Sequence, residues 1–323
     1  MKRLAVLLIV SALLMAPSFG AANPNGVGEG TFDAQCGGAC HGDADMNRSS
    51  ASTVSISVEH AVYEGLLTSV SVTVTNVQTT DTGLLGFFLL SDVSGAEDTP
   101  EDDGWTVVSN SEGGSQNYVE VVVPDGTAQH TVEWTLRAPS AGAYDLHASV
   151  HHGARDGSGA PFFGVTTAPV SVQVDAVPDD LPRLSEGFQP PVMRTVGEST
   201  VIRLTTEAVH DLDVEWRVDG GAVRTAAATS QDNGVWTFEI PASLAPVLVE
   251  WRVHLEGEGP TQTTPWVALQ SQEPTFESDD MTVYAQAFAM LVAFLVAFIA
   301  LPRKTLPHNE QPKLLPFADE VMP

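Results

Sequence analysis

Ser69-Val-Ser-Val-Thr-Val74 alternates hydroxyl-bearing and branched apolar side chains with a period of two. That period predicts a strand with one face on a core and the other in water. Thr53-Val-Ser-Ile-Ser-Val58, Tyr118 to Val123 and Thr131-Val-Glu-Trp-Thr-Leu136 carry the same alternation, and Leu84 to Leu90 is a continuous apolar strand. Further strands are expected over Ala143 to Val150 and Val170 to Val174. Clusters of Pro, Gly, Asp and Ser punctuate these runs at short intervals, as in a sandwich rather than a parallel sheet. Residues 51–175 are therefore expected to form one antiparallel β-sandwich, long enough to bury a core of its own.

Asp175 to Pro191 holds four prolines among acidic residues, so 176–191 reads as a linker. Strands resume over Ser199 to Thr205, Leu212 to Val218, Gly234 to Ile240 and Val247 to His254. Val214-Glu-Trp-Arg-Val218 and Val249-Glu-Trp-Arg-Val253 nearly repeat, as two similarly placed strands of one small domain would. Residues 192–270 are expected to be a second, immunoglobulin-like or fibronectin III-like sandwich with Trp216, Trp236 and Trp251 in its core. Stacking on carbohydrate is the alternative role for those tryptophans. Residues 271–283 read as a polar stalk. The fold class expected is all-β: two antiparallel β-sandwich domains plus one C-terminal transmembrane helix.

Both ends of the chain carry membrane signals. Lys2 and Arg3 precede an apolar run from Leu4 to Met15, and Gly20-Ala21-Ala22 offers the small residues of a cleavage site, so 1–22 is expected to be a signal peptide. Tyr284 to Leu301 is uncharged and about as long as a membrane helix must be. Arg303 and Lys304 follow it, and Glu277, Asp279 and Asp280 precede it. Basic residues stay inside, which predicts a single-pass type I protein with an extracellular or periplasmic ectodomain and a cytoplasmic tail over 302–323. Between Ala22 and Thr282 there are nine Arg, no Lys and 38 Asp plus Glu, a net charge of −29. Such a surface repels nucleic acid and anionic lipid, and salt screens its self-repulsion. The acidic run Glu97-Asp98…Glu101-Asp102-Asp103-Gly104 lacks the spacing of a calcium loop and reads as a solvated loop.

The chemistry in this sequence is concentrated in Gln35-Cys36-Gly37-Gly38-Ala39-Cys40-His41-Gly42, within 23–50, which is expected to be a flexible segment. Cys36 and Cys40 are the only cysteines, and the order Cys…Cys-His is the one that attaches haem c covalently, with His41 as proximal ligand. Three residues separate the thiols where two are usual, and two of the three are glycines that tolerate the extra turn. A Cys36–Cys40 disulfide, a partial zinc site, and a copper loop through Cys36, His41 and Met46 compete with haem. His147, His151, His152 and His60 are the candidates for a distal ligand. His147 and His151 lie about 13 Å apart along a straight strand, too far to hold one metal together. Solvent-facing histidines are the plainer expectation for that strand.

Glu133-Trp-Thr-Leu-Arg-Ala-Pro-Ser-Ala-Gly-Ala-Tyr-Asp-Leu-His-Ala-Ser-Val150, followed by Asp156-Gly-Ser-Gly159, resembles the second half of microbial reeler-like "choice-of-anchor" surface proteins. The resemblance covers roughly Gly30 to Asp175. It implies an N-terminal Cys-x-x-Cys-His-type segment, a β-sandwich and a C-terminal anchor. The sequence departs from it in the longer cysteine spacing and in Gly159-Ala160-Pro161. No phosphate loop, nucleophile elbow or His-Glu-x-x-His motif occurs, so no catalytic constellation is expected. The function expected is one-electron transfer or redox sensing at the cell surface, with a redox partner protein. The alternative is an envelope structural or binding protein in which Cys36 and Cys40 form a disulfide.

Overall fold

The computed structural model describes residues 50–59, 61–77, 83–93, 98–124, 126–154, 162–274 and 280–300. Cys36, Cys40, His41, Met46 and His60 lie outside them, as do the signal segment 1–22, Asp156 to Gly159 and the tail 302–323. The chain divides after Glu273. All described strands belong to the part before that point, and they form two pairs of sheets around two separate cores.

The first pair begins with β1 (Thr53–Val58), β3 (Leu67–Thr75), β5 (Thr106–Asn110) and β7 (Gln129–Arg137), in the order β1-β3-β7-β5. The facing sheet runs β2 (Val62–Tyr63), β10 (Val170–Asp175), β8 (Gly142–Ala154), β4 (Gly83–Leu90) and β6 (Tyr118–Val123), with β9 (Phe162–Val165) also paired to β8. The period-two pattern explains the arrangement directly. Val70, Val72 and Val74 of β3 turn inward onto Val132, Trp134 and Leu136 of β7 and onto Leu85, Phe87 and Leu89 of β4. Ser71 and Thr73 turn outward, and the Thr73 and Thr131 hydroxyls meet at 2.8 Å across the strand pair.

The second pair repeats the plan with β11 (Arg183–Leu184), β13 (Thr200–Glu207), β16 (Thr229–Ser230) and β17 (Val235–Ile240) in one sheet. The other holds β12 (Met193–Thr195), β14 (Asp211–Val218), β15 (Arg224–Ala226), β18 (Leu248–Glu256) and β20 (Val267–Gln272), with β19 (Gln262–Thr263) beside β18. In both pairs the first strand is split between the sheets, and its second half runs parallel to the last strand. Four strands face an extended sheet of five or more, the division found in immunoglobulin-like sandwiches. The two differ at one crossing. After β14 the chain stays in the same sheet as β15 and then crosses to β16; after β4 it crosses first, to β5, and returns as β6.

That early crossing carries β5 to the edge that meets the second sandwich. There the Ala268 N–H donates to Ser109 Oγ (3.2 Å), and Thr135 Oγ1 donates to the Trp266 carbonyl (2.7 Å). Arg137 donates to the Gly65 carbonyl (2.6 Å) and to the Phe188 carbonyl. The stretch between the sandwiches is itself packed: Leu181 is fully buried, Leu184 belongs to the second core, and Phe188 sits edge-on to Trp251. Proline and acid content give this stretch the look of a linker, but three apolar side chains anchor it. At the far end β20 continues to Gln272, two residues into the stretch read as stalk.

Among the described residues beyond Glu273 is the helix α1, Asp280–Ala300, of 21 residues. Its described side chains, Met281, Tyr284 to Val296 and Ile299, are all exposed. Among the described residues no helix is long and apolar enough to cross a membrane. The apolar sequence of 284–301 reaches that length only with Ala297, Phe298, Ala300 and Leu301, whose side chains lie outside the described set.

Candidate functional site

The described histidines singled out in the sequence all stand on β8, but strand parity separates them. Leu146, Ala148 and Val150 face the core, and His152 follows them on that face. His147, Ser149 and His151 take the opposite face. His147 is half-buried, with Nδ1 3.4 Å from Thr166 Oγ1. His151 and His152 are buried, at 7% and 2% exposure. The expectation of solvent-facing histidines is thereby corrected for both.

The reason is β4, which lies beside β8 with Gly86 opposite His151 and Phe88 opposite Ser149. Phe88 meets the His151 ring edge-on at 5.0 Å and the Tyr118 ring at 4.5 Å. Gly86 is what lets Tyr118 lie this close, because a Cβ there would fall 3.0 Å from the Tyr118 ring. Burial, with the His152 imidazole adding to it, pushes His151 down to about 4, so its ring is neutral at physiological pH. His152 stacks on Phe162 at 5.1 Å and shares a 2.7 Å hydrogen bond through Nε2 with the Ser50 hydroxyl. The chain thus enters the first sandwich against the histidine-bearing strand.

The acidic run behaves as a capped turn in its described part. Asp102 accepts from the Thr99 N–H (3.1 Å) and hydroxyl (2.7 Å), and Gly104 closes the turn with φ 84°. Among the described residues no group of three or more His, Cys, Asp or Glu is placed to hold a metal ion.

A second cluster, on the outer face of the β14–β18 pair, escaped the sequence reading, although its signal was in view. The two Glu-Trp-Arg segments are adjacent antiparallel strands with Trp216 opposite Trp251. Antiparallel pairing of the same three residues sets each Glu against the other strand's Arg. Arg217 grips Glu250 through two 2.7 Å bonds, and Arg252 binds Glu215 at 2.7–2.8 Å. His254 approaches Glu215 at 3.1 Å. Both guanidiniums stand over the Trp266 ring, at 4.3 and 4.4 Å from its centroid. The bond to Glu250 holds the Arg217 guanidinium above its ordinary range, and the Arg252 and His254 bonds hold Glu215 below the usual carboxylate range. Trp216, Trp236 and Trp251 are all in the core, so none is left to stack on carbohydrate.

Neither a known family's profile nor a curated protein matches the sequence. Solved structures align with the chain at low TM-scores. Tandem Ig repeats of Dlar are 12% identical over 69% of this chain and 100% of theirs, with a TM-score of 0.28. Tandem Ig domains of titin are 9% identical over 70% and 100%, at 0.23. A marsupial T cell receptor is 10% identical over 71% and 75%, also at 0.23.

Proposed function

We propose that this is a membrane-anchored extracytoplasmic protein in which Cys36 and Cys40 bind one haem c and His41 ligates its iron, for one-electron transfer or redox sensing at the cell surface. The observation that carries the reading is the order Cys36…Cys40-His41, with Ser50, nine residues past His41, bonded to His152. Nine residues reach at most about 30 Å, which keeps every histidine of β8 within range of a haem on that segment. The donor set suits haem: two thiols for thioether bonds and imidazoles for iron. Of the β8 histidines, His147 is best suited to the distal position. It is half-buried, and a hydroxyl beside Nδ1 is the arrangement that orients an imidazole for binding through Nε2. Haem when bound supplies the one-electron couple; the chain holds it, orients it and sets its exposure to water. The 284–301 sequence and its flanking charges support the anchor.

The competing reading is an envelope binding module with a Cys36–Cys40 disulfide, favoured by the close junction between two immunoglobulin-like sandwiches. An absorption spectrum of protein made in a host with c-type maturation separates the two. A Soret band lost in Cys40→Ser and altered in His41→Ala and His147→Ala supports haem; its absence in the wild-type chain supports the binding module.

A further inference from the structure

We infer that β1 is a self-recognition edge: two copies of this chain pair through it, antiparallel, about a two-fold axis at Ile56, doubling the four-stranded sheet. Sheet edges are sites where another strand can add, and soluble proteins block them with charge, proline, bulges or brevity. Among the described residues the other outermost strands are short, charged or covered. β5 is closed by the second sandwich through Ser109 and Ala268. β6 carries Glu120 in mid-strand and ends at Pro124. β2, β11, β12, β15 and β16 have only two or three residues each.

β1 has none of these protections. Thr53 to Val58 contains no charge, no proline and no glycine, within a stretch of chain carrying −29, and it pairs in register with β3 over its whole length. Among the described residues nothing is hydrogen-bonded to its free side. Val54, Ile56 and Val58 pack on the core yet stay half-exposed, which is the signature of a sheet that stops one strand short.

The phase of the hydrogen bonds fixes which groups are offered. The Glu59 N–H donates to the Ser69 carbonyl, so odd-numbered residues of β1 spend their backbone groups on β3. The Asn76 N–H donates to the Ala128 carbonyl, so even-numbered residues of β3 face β7 and odd-numbered ones face β1, in agreement. Val54, Ile56 and Val58 therefore direct their N–H and C=O groups to the free edge. An antiparallel pair needs opposite residues that are both of this kind and on the same face. Centring on Ile56 supplies them: Ile56 meets the partner's Ile56, and Val54 meets the partner's Val58. Between them Ser55 faces the partner's Ser57, and Thr53 faces the partner's Glu59. Apolar side chains meet on the core face, hydroxyls on the water face, and no like charges face one another. The contact is isologous, so it closes as a dimer. Mutual repulsion of two acidic ectodomains opposes it, and salt relieves that repulsion.

The test uses the full-length chain purified in detergent, with Ser55→Lys/Ser57→Lys and Ser55→Glu/Ser57→Glu variants. Both positions are exposed, and their backbone bonds to β3 are kept. Sedimentation in molar sodium chloride should show a dimer for the wild type and half that mass for each variant alone, where like charges meet across the axis. Mixing the two variants should restore the dimer, because each lysine then faces a glutamate. Hydrogen exchange should show the Val54, Ile56 and Val58 amides protected in the dimer and exposed in the lysine variant, with Thr53, Ser55 and Ser57 protected in both. A monomeric wild type at every salt and protein concentration, a variant that stays dimeric, or a dimer in which the Ile56 amide exchanges freely overturns the inference.

Discussion

His151 ties the packing of β8 to acid stability. In the folded chain its ring lies against Phe88 with 7% exposure and binds a proton only near pH 4. In the unfolded chain the same ring titrates near 6.5. A folded-state value below the unfolded one means the unfolded state takes up the proton first. The contribution to stability is therefore complete above about 6.5 and is lost as pH falls toward 4. At about 1.4 kcal/mol per unit, the full loss is about 3 kcal/mol, of which about 2 kcal/mol has gone by pH 5. The comparison is therefore made between the wild type and a variant lacking the imidazole. His151→Gln keeps a polar planar group and removes the titration. Urea unfolding followed by tryptophan fluorescence at pH 7.5, 6 and 5 gives both curves, and their difference reports the imidazole. The wild type should lose about 2 kcal/mol more than the variant between pH 7.5 and 5. Parallel curves would show that His151 is open to water and that β4 does not cover it.

Three further outcomes follow from the packing. Trp251→Ala, at a fully buried ring between Phe238 and Phe188, should cost about 3–5 kcal/mol in the same unfolding assay. Arg217→Ala should cost about 2–3 kcal/mol, because it strands the Glu250 carboxylate at 6% exposure, whereas Arg183→Ala, whose partner Glu207 is 45% exposed, should cost under about 1 kcal/mol. The melting temperature of the ectodomain should rise from millimolar to molar salt, since nine cations balance only part of 38 anions; a flat response would show that the charges are too dispersed to repel.

Strands with a clean period of two were legible because alternation itself sets which face is buried. Thr53–Val58 and Tyr118–Val123 have the bounds read from the sequence, and most others differ by one to three residues at an end. Short edge strands such as β12, β15 and β16 were not legible, since two or three residues carry no period. β5 was hidden differently: Thr106–Asn110 is irregular in register, and its partner β7 is distant in sequence. Burial of His151 was invisible for the same reason, because the covering Phe88 comes from a strand some sixty residues away. The Glu-Trp-Arg repeat was visible, but only antiparallel adjacency turns it into reciprocal ion pairs around Trp266. Between the sandwiches, composition marked a linker while Leu181, Leu184 and Phe188 pinned it down.

The most direct test of the proposed function is the intact mass of the full chain, made in a host with c-type maturation and then unfolded in denaturant. Thioether bonds survive unfolding, so the account predicts the mass of the processed chain plus one haem, reverting to the bare chain in Cys36→Ser/Cys40→Ser. A wild-type mass two hydrogens short of the reduced chain, with nothing added, would contradict it and leave Cys36 and Cys40 as a disulfide.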